Sequence, residues 1–223
     1  MSIFEKIING TIKDIAGGLL DEGLGAASEK SFEQFQKRML KKHANHSHLW
    51  MSEERKRAGG IIPRKTKVFS FFDIDGNITY RAESNTHDGK LSIILFDQFD
   101  NAIGFVYEIE KNIAPRYAKV RLSIDLRGNR LGEISSTPFS LKEIMTMDAL
   151  GCKIERSRPG QRRILDQESH ILAEATSEVF NYGNITFIDF VPSMDSAVVA
   201  LVVLSTKLYE TIKERGYSSW YGE

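Results

Sequence analysis

The chain has 223 residues, 41% hydrophobic and 27% charged, enough for one large or two small domains with a real core. Thirty Lys and Arg balance thirty Asp and Glu, and no aromatic-basic recognition motif is present, which argues against a nucleic-acid partner. Cys152 is the only cysteine, so an intramolecular disulfide is excluded and a reducing, cytoplasmic setting is expected.

Residues 1–42 read as a helical extension. Ile3, Phe4, Ile7, Ile8, Ile12 and Ile15 recur at three- and four-residue spacing, with Lys6 and Lys13 off that stripe. Gly17, Gly18, Gly23 and Gly25 weaken the pattern. A second helix, capped at Ser28 or Ser31, carries Phe32, Phe35 and Met39 on one side. Lys37, Arg38 and Lys41 turn away from them. No basic-then-apolar opening marks a secretory leader.

Residues 43–65 read as a basic linker. Between Lys37 and Lys67 ten Lys or Arg face only Glu53 and Glu54, a net of +8, so the rest of the chain sums to −8. Such a segment meets an anionic surface, docks on an acidic body, or is simply solvated. His43, His46 and His48 match no zinc spacing, so no metal is assigned to them.

From Lys65 to Phe190 the expectation is β structure. One turn pattern recurs five times: Asp73-Ile-Asp-Gly76-Asn77, Asp97-Gln-Phe-Asp100-Asn101, Asp125-Leu-Arg-Gly128-Asn129, Asp148-Ala-Leu-Gly151 and the decayed Asp166-Gln-Glu-Ser169-His170. Asp bonds its own backbone two residues on, and Gly or Asn tolerates positive φ, so each copy reads as a hairpin. Strict alternation, as in Val120, Leu122 and Ile124, gives one buried face. Eleven strands are expected at 66–73, 77–83, 90–97, 102–109, 117–125, 129–135, 140–147, 152–157, 162–166, 170–176 and 184–190. A short twelfth is expected near 60–64. A sheet of that size exposes its edges unless it closes.

The last element is a helix opened by Ser193, ending at Gly216. Ala197 to Leu204 is apolar on every side, yet eight residues are far too few for a bilayer span of about 20. Such a helix needs a protein sleeve, which the preceding strands supply. The expected fold is therefore mainly β. A closed antiparallel barrel of about twelve strands surrounds a central hydrophobic C-terminal helix, with 1–60 as helical extension and basic linker and 61–223 as the barrel.

The repeated hairpins, above all Phe72 to Tyr80 and Leu95 to Ile103, followed by the helix from Ser193 to Lys207, resemble the tubby C-terminal-like superfamily. That group includes the tubby, phospholipid scramblase and plant LURP-one-related families and their bacterial relatives. The resemblance covers roughly residues 62–215 and implies a twelve-stranded barrel around a central helix. It carries over no phosphoinositide-binding residue. The cysteine-rich and proline-rich regions of scramblases have no counterpart here.

No enzyme motif is present: there is no Gly-x-Ser-x-Gly elbow, P-loop or Gly-x-Gly-x-x-Gly. Asp73 to Ser84 lacks the Gly and Glu positions of a calcium loop. Cys152 reads as a small buried hydrophobe, and neither it nor His170 has a distinctive nucleophile setting. The expectation is a non-enzymatic protein without cofactor or metal. Two basic clusters are the candidate anion or phospholipid sites. One is Arg55, Lys56 and Arg57, continuing to Arg64, Lys65 and Lys67. The other is Arg156, Arg158, Arg162 and Arg163 around Pro159-Gly160, read as one loop; the alternative is a solvated loop balancing acidic neighbours. Two functions compete. One is a peripheral membrane module that recognises anionic phospholipid head groups. The other is a protein-interaction scaffold whose residues 1–42 meet a partner, a second copy or the barrel itself.

Overall fold

Alternation of period two, broken by turn residues, builds twelve strands in a computed structural model of the chain. It describes residues 31, 34–35, 37–42, 45–57, 65–112, 119–136, 144–147, 151–158, 160–180 and 183–220. Helical residues between 31 and 42 form α1. The strands are β1 (Ser47–Arg57), β2 (Lys65–Phe72), β3 (Ile78–His87), β4 (Lys90–Asp97), β5 (Ala102–Asn112) and β6 (Lys119–Leu126). They continue as β7 (Asn129–Ser136), β8 (Ile144–Met147), β9 (Cys152–Arg158), β10 (Gln161–Leu165), β11 (Ile171–Phe180) and β12 (Gly183–Phe190), followed by α2 (Ser196–Trp220). Each strand pairs antiparallel with its sequence neighbours, and β1 closes on β12 from Ser47↔Phe190 to Glu53↔Asn184.

The eleven expected strands appear where alternation placed them. The short strand expected near 60–64 falls on residues outside the described ones, and the twelfth described strand lies elsewhere. It is β1, inside the segment read as linker, so the barrel begins at Ser47 and not at 61. The physical reason is that β1 is buried on both faces. Leu49 and Met51 enter the barrel core, while Trp50 points outward yet is fully covered by α1. Three consecutive apolar residues followed by Glu53 to Arg57 show no alternation to read.

α2 fills the barrel. Ala197 and Val199 to Leu204 are all buried and share one cluster with inward residues such as Leu95, Val106, Leu122, Ile154 and Ile188. The approach is close at β5, where a Cβ on Gly104 would sit 2.9 Å from both Leu201 methyls. The N-cap is Asp195 and not Ser193: its Oδ1 accepts the Ala197 N–H at 2.8 Å. The helix also runs past Gly216 to Trp220. A glycine inside a helix costs about 1 kcal/mol, too little to end one anchored by the buried Leu208, Tyr209 and Ile212.

The four repeated turns that lie within the described residues are at the barrel end where α2 enters, because each joins an even strand to the next odd one. Three have the same frame. Asp73, Asp97 and Asp166 each accept the backbone N–H of the residue four on, Asn77, Asn101 and His170, at 2.8–2.9 Å. Each also bonds that residue's side chain. The fourth residue has positive φ in all three: Gly76 81°, Asp100 60°, Ser169 71°. Thus the decayed copy keeps the full geometry, with imidazole replacing amide. The Asp125 copy differs: Leu126 pairs with Asn129, leaving a two-residue turn with Arg127 and Gly128 both at positive φ. Asp148 lies outside the described residues.

α1 lies against the outer wall. Phe35 and Met39 pack with Trp50, Phe72, Ile185 and Phe187 as a second core, with Phe35 and Trp50 edge to face at 6.0 Å. Polar contacts frame it. Arg38 pairs with Glu178, and Lys42 Nζ reaches the buried Glu174 at 2.6 Å. His46 Nδ1 lies 2.6 Å from the buried Asp189. The stripe from Ile3 to Ile15 lies outside the described residues.

Candidate anion-binding cleft at the barrel mouth

The barrel is apolar where α2 enters and polar where it leaves. On β1 and β2 the inward positions change from Met51 and Phe71 to Glu53 and Lys67 toward that mouth. On β11 and β12 they change from Ala173 and Ile188 to Ser177 and Thr186. On α2 the apolar run gives way to Ser205, Thr206, Lys207 and Glu210. A cleft of ≈ 130 Å³ opens there between α2 and strands β9 to β12.

Its charged lining is Arg156 from β9, Arg162 from β10, and Lys207 and Glu210 from α2. Ser177, Thr186 and Thr206 add hydroxyls. A register irregularity between Gln161 and Arg162 sets Arg156 directly opposite Arg162 on the inward face. Like charges opposite one another on a sheet are destabilising. Glu210 answers one of them: Arg162 Nη2 donates to Glu210 Oε1 at 2.6 Å. The Arg162 stem also lies over an apolar floor of Ile154, Ile164, Ile188 and Val203, so the head is carried to the polar rim. Beside the cleft, Lys207 and Lys67 both reach Glu53 of β1, at 3.9 and 3.1 Å, and Lys67 Nζ donates to Thr211.

Gly160 fixes the hairpin that bears the arginines. Its φ is +74°, and a Cβ there would meet the Ser177 carbonyl oxygen at 2.9 Å, so only glycine fits. The Ser177 N–H donates to the Gly160 oxygen at 2.7 Å, pinning the turn to β11.

The arginine cluster is therefore not one loop. Arg156 and Arg158 are strand residues of β9, and Arg162 and Arg163 belong to β10, with only Pro159-Gly160 between. Alternation splits the last two across the wall. Arg162 faces the cleft, whereas Arg163 faces outward and its Nε donates to Glu174 at 2.8 Å, where Lys42 also bonds. Desolvation pushes the Glu174 carboxyl up, but these two cations outweigh it and hold it below the ordinary range. Arg158 is exposed beside the turn. Arg55, Lys56 and Arg57 end β1, and their side chains lie outside the described residues. The β1–β2 and β9–β10 hairpins share the mouth end, with three strand spacings, about 14 Å, from β1 to β10.

Lys207, Glu210 and the three hydroxyls were not singled out from sequence. The helix residues among them, Thr206, Lys207 and Glu210, lie just after the apolar run, with Glu210 four and three positions from the other two; Ser177 and Thr186 are strand residues with no such signal. Cys152 faces the core, and burial pushes its thiol pKa up, with Asp166 adding to the effect. His170 is committed to the Asp166 turn frame.

Fold and cleft together define a closed twelve-stranded barrel, plugged by its own C-terminal helix, with a basic mouth. No family model matches the chain, and no curated protein matches it. A solved structure of an Arabidopsis thaliana protein is similar at 14% identity, covering 73% of this chain and 92% of that one, with a TM-score of 0.45. A likeness at that level assigns neither family nor activity.

Proposed function

We propose that this protein is a non-enzymatic binding module of tubby-like, LURP-one-related build, whose barrel mouth takes phosphate-bearing anions, membrane phospholipid head groups foremost. The observation that carries this reading is the Arg156–Arg162 pair. The two arginines stand directly opposite one another in the β9–β10 register and both line the cleft, together with Lys207 and the hydroxyl residues Ser177, Thr186 and Thr206. A cleft of ≈ 130 Å³ is well below the roughly 300–1,000 Å³ of sites for drug-sized ligands. It suits one phosphate group, not an acyl chain. No described helix is long and apolar enough to cross a membrane, so association is proposed as peripheral.

Scaffolding through α1 is the weaker reading, because Phe35 and Met39 are spent on the barrel wall. A scaffold built on residues 1–42 would have to rely on the stripe from Ile3 to Ile15, outside the described residues. A catalytic reading gains nothing from Cys152, whose raised thiol pKa opposes thiolate formation.

The test is flotation of the full chain with phosphatidylcholine vesicles, with and without phosphatidylserine. Wild type is expected to float only with the anionic vesicles, and Arg156→Ala or added salt to weaken that. Equal flotation with both vesicle types, or none with either, would sink the proposal.

A further inference from the structure

The mouth contains an anion of its own. Arg162 is only 12% exposed and its guanidinium is held by Glu210, which is 42% exposed and sits on the last polar stretch of α2. The two partners are therefore unequal. Arg162 is fixed by its stem and by β10, whereas the Glu210 carboxylate can rotate into water without vacating a packed position. A guanidinium presents five donors in a planar fork that donates to carboxylate and phosphate oxygens alike. Any oxyanion entering the cleft competes with Glu210 for the same nitrogen.

We propose that Glu210 is a built-in competitor that occupies the Arg162 end of the cleft and lowers its affinity for external oxyanions, most of all for doubly charged ones. This rests on the reading of the mouth as an anion site. With Glu210 in place the lining carries three cations and one carboxylate. With Glu210 turned out, the lining carries three cations and no facing carboxylate. A doubly charged phosphate gains more from that change than a singly charged diester, because both attraction to the cations and repulsion from the carboxylate scale with ligand charge. The size of the effect is bounded by the pair that must break. A partly exposed ion pair contributes up to about 1 kcal/mol, so displacing it taxes affinity by roughly two- to fivefold.

The test is calorimetric titration of the full chain with inorganic phosphate and with dimethyl phosphate, on wild type, Glu210→Gln and Arg156→Ala. Glu210→Gln is expected to bind phosphate roughly two- to fivefold tighter, with a smaller gain for dimethyl phosphate. Arg156→Ala is expected to weaken both ligands. The Arg162 Nε–H resonance is expected to shift on adding phosphate to wild type, and on the Glu210→Gln change alone. Repeating the series on phosphatidylserine vesicles separates the two sources of phosphate: a gain there as well points to lipid, a gain with the free ion alone to a soluble ligand. If Glu210→Gln binds no tighter while Arg156→Ala still weakens binding, the competitor role is overturned and the anion site stands. If no variant binds either probe, or Arg156→Ala changes nothing, the anion site itself falls.

Discussion

Ser169 holds a left-handed backbone conformation, φ +71°, that costs an ordinary L-residue about 1–2 kcal/mol. It persists because Asp166 ties the turn at three points, to the Ser169 N–H through its carbonyl and to the His170 backbone and ring through its carboxylate. The same position is Gly76 in the first turn, where no strain arises. Ser169→Gly is therefore expected to stabilise the protein by about 0.5–1 kcal/mol after the extra chain entropy of glycine is subtracted. A urea melt checks it, and an unchanged or lower midpoint counts against the strain. In the second turn, hydrogen bonds from the Asn101 side chain and backbone hold the Asp97 carboxyl below its usual range. The Asp–Asn spacing visible in the sequence thus reports a real bonding frame. What it hid was that Asp125 to Asn129, nearly identical in letters, folds as a tighter two-residue turn, because Gly128 and Arg127 together take the two positive φ values.

At the scale of elements, α1 is the part of the molecule least readable from sequence. Its apolar stripe at Phe35 and Met39 was plain, but nothing in it said what it would cover. The answer lay in Trp50 and in Glu174 and Asp189, buried acids on the outward face of β11 and β12 that make sense only beneath a basic helix. Glu174 gives this contact a pH dependence. Its folded carboxyl titrates below the ordinary 4.5 because Lys42 and Arg163 outweigh its desolvation. A depressed carboxyl stabilises the fold above its unfolded pKa, and that contribution is lost as pH falls below about 4.5 through the lower folded value. Thermal melts across this range are expected to show a steeper acid loss for wild type than for Glu174→Gln. Parallel curves would dismiss Glu174 as the source. The candidate site was half legible for the same reason. The four arginines were evident, but pleat parity sends Arg162 and Arg163 to opposite sides of the wall, and parity depends on a bulge that no residue type announces.

For the whole molecule, barrel and helix must match in width, and at Gly104 the fit leaves no room for a methyl. Gly104→Ala places a Cβ 2.9 Å from both Leu201 methyls in a fully buried layer, an overpacking expected to cost about 1–3 kcal/mol. Adding Leu201→Ala frees that space, so the double variant is expected to be more stable than the sum of the two single losses. Simple additivity in denaturant melts would show that the helix shifts to accommodate the methyl. The closed barrel and its plug were legible because an eight-residue run apolar on all sides leaves few other solutions. The axial change from apolar plug to charged mouth was not, since it emerges only when alternate residues of separate strands are brought to one level.

The order of elements has a kinetic consequence. α2 follows all twelve strands in the chain, and the strands that seal the barrel, β1 and β12, are the first and last. Until the final helix is present the wall has nothing to close upon, and its inward aromatic and aliphatic faces stay wet. Pairings between such distant segments form slowly. During synthesis the strands emerge before the helix they pack against, so the interval before Ser196 emerges is expected to be the most aggregation-prone stage.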